Sequence, residues 1–104
     1  MTDARLRDRG LLACPVCDGD YLHHGRVNVF MRPAEDRDGL KVTVDKSRFS
    51  FNRAADWQVA RAEEFPGRRD HIEIQMWCED CGDEEGRTLI IIQHKGCTYI
   101  RWRV

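Results

Sequence analysis

The sequence predicts a mainly β fold: one antiparallel sheet of about five strands carrying one short helical insert. Three observations predict it. Apolar and polar residues alternate over several short runs. Clusters of Gly, Pro and Asp punctuate those runs. Two cysteine pairs of identical internal spacing, Cys14-Pro15-Val16-Cys17 and Cys78-Glu79-Asp80-Cys81, bracket 60 intervening residues. A chain of 104 residues is expected to form a single domain over 1–104 with a modest core.

The elements follow in order. Residues 1–12 begin polar and are expected to fray, or to form a short helix ending at Leu11-Leu12. Residues 21–32 read as the first strand, with Val27, Val29 and Met31 alternating with Asn28, Phe30 and Arg32. Pro33 ends it, and Asp36-Arg37-Asp38-Gly39 signals a turn. Leu40, Val42 and Val44 then alternate with Lys41, Thr43 and Asp45 as a half-buried second strand. The stretch 47–66 breaks the pattern and reads as an insert: a short helix over 53–64 with Asn52 as a candidate N-cap, or failing that an ordered loop, closed by Pro66-Gly67. Trp57 in that helix, and Trp77, are expected in the core.

A third strand over 71–77 places Ile72, Ile74 and Met76 on one face. The turn Asp83-Glu84-Glu85-Gly86 leads to a fourth over 88–94, apolar on both faces at Leu89-Ile90-Ile91-Ile92 and therefore central. Lys95-Gly96 is a tight hairpin turn. The last strand, 97–104, sets Thr98, Ile100, Trp102 and Val104 against Tyr99, Arg101 and Arg103.

The cysteines carry the chemistry. Two C-x2-C turns supply four thiolates, the donor set of a closed tetrahedral Zn²⁺ site, with sulfur about 2.3 Å from the ion. Cys14, Cys17, Cys78 and Cys81 are therefore the expected ligands of one structural zinc. Gly82 after Cys81, and Asp18-Gly19 after Cys17, let the chain turn N–H groups toward sulfur. The two turns and their flanking strands resemble the zinc-ribbon family, in which two such knuckles clamp one ion between hairpins. The long interval between the pairs departs from a simple ribbon. Iron is the lesser candidate, because rubredoxin-like chains are shorter between loops and carry the proline loop second. Disulfides suit the sequence less well. The start, Met1-Thr2-Asp3-Ala4-Arg5-Leu6, is charged and lacks the apolar core of a secretory signal, so a reducing cytoplasm is expected. His71-Ile72-Glu73 before a C-x2-C is too close to it, at four residues, for a zinc deaminase. His23 and His24 are not expected to bind the ion, and Cys97 reads as a small packed residue.

Both knuckles should lie at one end of the sheet. The opposite end should then collect Arg68, Arg69, His71, His94 and Lys95, a candidate anion- or partner-binding surface whose plain alternative is solvated loop ends. Tyr99, Arg101 and Arg103 form a second candidate surface, suited to base stacking and phosphate contact. The formal net charge of −1 falls to −3 once four thiolates hold one Zn²⁺, which disfavours general polyanion binding. No run approaches the roughly 18 apolar residues of a membrane span. No motif for acyl or phosphoryl transfer is present, and a non-enzymatic role is expected.

A second resemblance rests on His94-Lys95-Gly96-Cys97-Thr98-Tyr99-Ile100-Arg101-Trp102, with Cys14-Pro15-Val16-Cys17 and Leu22-His23-His24-Gly25-Arg26-Val27. These stretches are similar to small uncharacterised proteins of actinobacteria and their phages, which implies an accessory protein of a mobile element. The leading functional expectation is a protein-interaction module. The alternatives are a nucleic-acid-binding zinc ribbon using Tyr99, Arg101 and Arg103, and a thiol or metal redox sensor.

Overall fold

The computed structural model describes residues 1–45, 55–82 and 87–103. Its strands are β1 (Thr2–Asp3), β2 (Leu22–Met31), β3 (Gly39–Val44), β4 (Ala55–Ala60), β5 (His71–Cys78), β6 (Thr88–His94) and β7 (Cys97–Arg103). They form one open antiparallel sheet in the order β1-β7-β6-β5-β2-β3-β4. The sheet has seven strands among the described residues, where the sequence predicts about five.

Both additions sit at the edges. Thr2–Asp3 pairs with Trp102 and Arg101, and the segment behind it makes a 3-10 turn at Asp8–Gly10 and a bridge between Leu6 and Leu12. The N-terminus is thus a structured strap rather than a frayed end or a helix. The second addition corrects the predicted helix. Residues 55–60 form β4, paired with β3 from Gly39↔Ala60 to Val44↔Ala55. Helical content within 61–66 is a single 3-10 turn, Ala62–Glu64. The reason is tertiary. The free edge of β3 offers a row of N–H and C=O groups needing partners. Trp57 and Val59 then meet Val42 and Leu40 across the ladder. The rest of the predicted helix, Asn52, the turn 83–86 and Val104 lie outside the described residues.

Register divides the sheet into two faces. The first bears Val27, Val29 and Met31 of β2, opposite Val44, Val42 and Leu40 of β3. It continues through Ile72, Ile74 and Met76 of β5, Leu89 and Ile91 of β6, and Ile100 and Trp102 of β7. A β-bulge at Gly25-Arg26 keeps this face in phase: His24 pairs with Met76 and Val27 with Ile74. Leu22 thereby rejoins the apolar side at the far end of β2.

This face is covered unevenly. Trp102, Leu89 and Met76 are buried, packed by Ala4 and Leu12 of the strap and by Leu22 and Ile74. Over β3 and β4 the same face is bare: Trp57 is 72% exposed and Val59 58%. Trp57 is therefore not the core residue its sequence context predicts.

The second face has its own small core. Phe65 folds back over Phe30, with Ala60 beside it. The His71 ring stacks on Phe30 at 4.1 Å between centroids, and Phe65 meets it edge-on. A polar row runs beside this core. Thr43 donates to Asn28 Oδ1 (2.8 Å), Asn28 donates to Glu73 Oε1 (3.4 Å), and Arg103 pairs with Glu73 Oε2 (3.0 Å). Among the described residues no helix is long and apolar enough to cross a membrane.

Candidate metal centre

The antiparallel ladder brings the two knuckles together. Leu22, just beyond the first, pairs with Cys78 at the start of the second, and the Glu79 N–H donates to Tyr21 O at 3.0 Å. Each knuckle closes on itself: Asp18 N–H donates to Cys14 O, and Gly82 N–H to Cys78 O, both at 3.0 Å. Each then exits through a left-handed residue, Asp18 or Gly82, at φ 65°. Gly82 adopts this at no steric cost, and Asp is among the few other residues that tolerate it.

The four sulfurs of Cys14, Cys17, Cys78 and Cys81 all lie within 4.8 Å of one another. Cys14 and Cys81 are 3.8 Å apart, and Cys17 and Cys78 3.5 Å. Sulfurs about 2.3 Å from one ion at tetrahedral angles are about 3.8 Å apart. The donor set therefore lies close to the spacing that a bound ion requires.

Proton chemistry agrees. Burial opposes ionisation of Cys14, but the N–H groups of Cys17 and Val16 outweigh it and lower the thiol to about 7. Cys81 is pushed up to about 12, first by desolvation and then by the other three sulfurs. The Gly19 N–H favours the Cys17 thiolate, yet desolvation and the sulfurs of Cys78 and Cys14 leave it raised. One proton leaves readily. The last leaves only when a cation neutralises the cluster, as metal binding requires.

Three supports surround the sulfurs. The Val16 N–H points at Cys14 Sγ (3.5 Å), and the buried Arg87 donates through Nη2 to Cys81 Sγ (3.1 Å). That cation offsets the excess negative charge of four thiolates and restricts how Cys81 can move. Gly19 lies where the knuckles meet: a Cβ there would collide with the Asp80 carboxylate and sit 3.3 Å from Cys17 Sγ. The strap supplies the third support, with Arg5 and Arg7 both paired to Asp18 (2.8 Å for Arg7). Neither Arg87 nor the strap is evident from sequence. Arg87 follows Cys81 by six residues, a spacing that carries no recognisable pattern.

The remaining candidates are scattered. His23 stacks on Trp77 at 4.2 Å and lies 2.7 Å from Glu79 Oε1, so Trp77 sits half-open on the second face rather than in the core. His71 is 1% exposed and pairs across the sheet with Ile92, not His94. It therefore leaves the predicted distal surface, because Phe30 and Phe65 enclose it. Arg68, Arg69 and Lys95 remain exposed there, Arg68 facing Glu35 at 3.7 Å. His94 is half-buried beside the Lys95-Gly96 turn. Tyr99 is partly exposed with the Arg101 guanidinium over its ring, but Arg101 pairs with Asp3 (3.2 Å) and Arg103 with Glu73. Cys97 is exposed rather than packed.

Fold and site together define a single-sheet β protein with a four-cysteine cluster at one end that can hold a metal ion. Comparisons with protein families, curated proteins and solved structures found no match to this chain.

Proposed function

We propose that this chain is a single zinc-stapled, zinc-ribbon-like domain that works by binding another protein and performs no chemistry of its own. The four-sulfur cluster carries the first half of that reading. Four cysteines fill a tetrahedron and leave no open position for a substrate. Zinc is favoured over iron because the proline-bearing knuckle comes first and the interval between the pairs is long. A reducing cytoplasm suits four free thiolates. An accessory role in a mobile element fits the weaker sequence resemblance.

The bare apolar half of the sheet supports the second half of the reading. Large apolar patches on a soluble chain mark interaction sites more often than accident. The nucleic-acid reading keeps Tyr99 as a stacking platform but has lost its two cations to Asp3 and Glu73.

Two measurements test the proposal. Elemental analysis of protein produced in medium containing both metals should give one zinc per chain and no iron. Iron, or no metal, would defeat the staple. Fluorescence anisotropy against labelled DNA and RNA at low salt should show no binding. Micromolar binding that collapses with salt, and weakens in R101A/R103A, would put nucleic acid first.

A further inference from the structure

We infer that the bare half of the apolar face, over β2, β3 and β4, is the docking surface for a second copy of this chain, joined face to face across a two-fold axis. The inference rests on reading that half as a docking surface and adds its occupant.

Shape points to a missing layer. The molecule measures 38 × 37 × 23 Å with a radius of gyration of 14.6 Å, against about 13 Å for a compact chain of this length. Stable domains stack at least two layers over a shared core. Here the strap covers only the β5–β7 end of the apolar face, and among the described residues none covers that face over β3 and β4. A copy of the same sheet, packed about 10 Å away, would supply the second layer.

Charge permits self-docking. Lys41 and Asp56 of β3 and β4 lie opposite Phe30 and Thr43 in the ladder, and so on the second face. The bare region presents Met31, Leu40, Val44, Trp57 and Val59, with no ionisable side chain among these five. A two-fold contact between such patches opposes no like charges. A patch of this kind is its own complement, as an isologous interface requires.

Area sets the strength. Strands about 4.8 Å apart, with same-face residues about 6.8 Å apart, give roughly 33 Å² of flat sheet per side chain. The patch, extended along the Ile72-Ile91-Ile100 row, covers roughly 350 Å² per copy before side-chain relief is counted. Two such patches come to about 700 Å² of flat sheet, and protruding side chains bring the buried total toward the roughly 1,000 Å² lower bound for a specific interface. A weak, reversible dimer is expected, rather than a permanent one.

Sedimentation equilibrium of the metal-loaded full chain, from about 1 to 300 µM, tests this over a range suited to weak association. The wild type should shift from monomer to dimer across that range. W57D and V59D should each weaken association at least tenfold while keeping the wild-type circular dichroism. Q58D, an equally exposed change on the second face, should leave it intact. A monomer at every concentration would overturn the inference and leave the docking reading with a different protein as partner. A dimer that W57D and V59D leave unchanged would place the self-contact on another surface and overturn the inference.

Discussion

Trp102 and Trp57 stand on the same face of the same sheet, and their surroundings could hardly differ more. Trp102 is 1% exposed, roofed by the N-terminal strap and by Met76 and Leu89. Trp57 lies 72% exposed on the edge strand. One half of the molecule is closed by the cysteine cluster and a strap. The other half presents the same apolar chemistry with none of the described residues over it. Apolar alternation dictates which residues share a face, but not which part of that face the chain itself will cover.

Removing the metal should expose that contrast most strongly. Structural zinc is worth about 10–16 kcal/mol in small peptides, comparable with a whole domain's stability of about 5–15 kcal/mol. If the cluster holds zinc, a strong chelator, or C78S at its fully buried cysteine, should abolish the cooperative melt. Retention of a wild-type melting temperature after verified metal loss would show that the strapped half closes without its staple.

The two tryptophans provide the next comparison. W102A should cost about 3–5 kcal/mol, through lost burial and the cavity left behind. W57A, measured at low micromolar concentration, should fall within about 0.5 kcal/mol of wild type in urea melts. Similar losses at both sites would mean that something of this chain covers β4.

Glu73 joins the halves, because it takes Arg103 from β7 on one side and Asn28 from β2 on the other. Burial alone would raise its pKa, but His71, Arg103 and Asn28 together lower it to about 2. A depressed carboxylate stabilises the fold fully above its unfolded pKa and ceases to do so as pH falls through the folded value. The advantage of wild type over E73Q should thus be about 2–3 kcal/mol at neutral pH and fade between about pH 4.5 and pH 2. An advantage independent of pH would place Glu73's contribution in packing rather than charge.

The smallest effect belongs to the strap's ion pairs. Asp18, Arg5 and Arg7 are all substantially exposed, so D18N should cost no more than about 1 kcal/mol, and less in high salt.

The sequence is informative where a residue's neighbours in the chain decide its role. The cysteine spacing predicts the four sulfurs that assemble, and Lys95-Gly96 predicts a two-residue hairpin turn, which forms with φ positive at both positions. Alternation over β2, β3, β5 and β7 predicts their faces, and the unbroken apolar run of β6 predicts an interior strand. What is not legible depends on distant partners. Residues 55–60 read as helix because their Ala-rich, charged composition carries no alternation of its own. They become a strand because β3 has an edge to fill. His71 reads as a surface ligand because the return of Phe65 over it is a tertiary event. Arg87 and the strap gain their roles only once the knuckles have met.

That last dependence has a consequence for synthesis. Cys14 and Cys17 emerge from a ribosome well before Cys78, with 60 residues between the pairs. At about 5–20 residues per second this interval lasts roughly 3–12 s. During it the nascent chain offers a metal only half a coordination sphere. An ion held by all four sulfurs would have to wait for β5 and the second knuckle, so capture would follow synthesis of residues 18–77 rather than guide it.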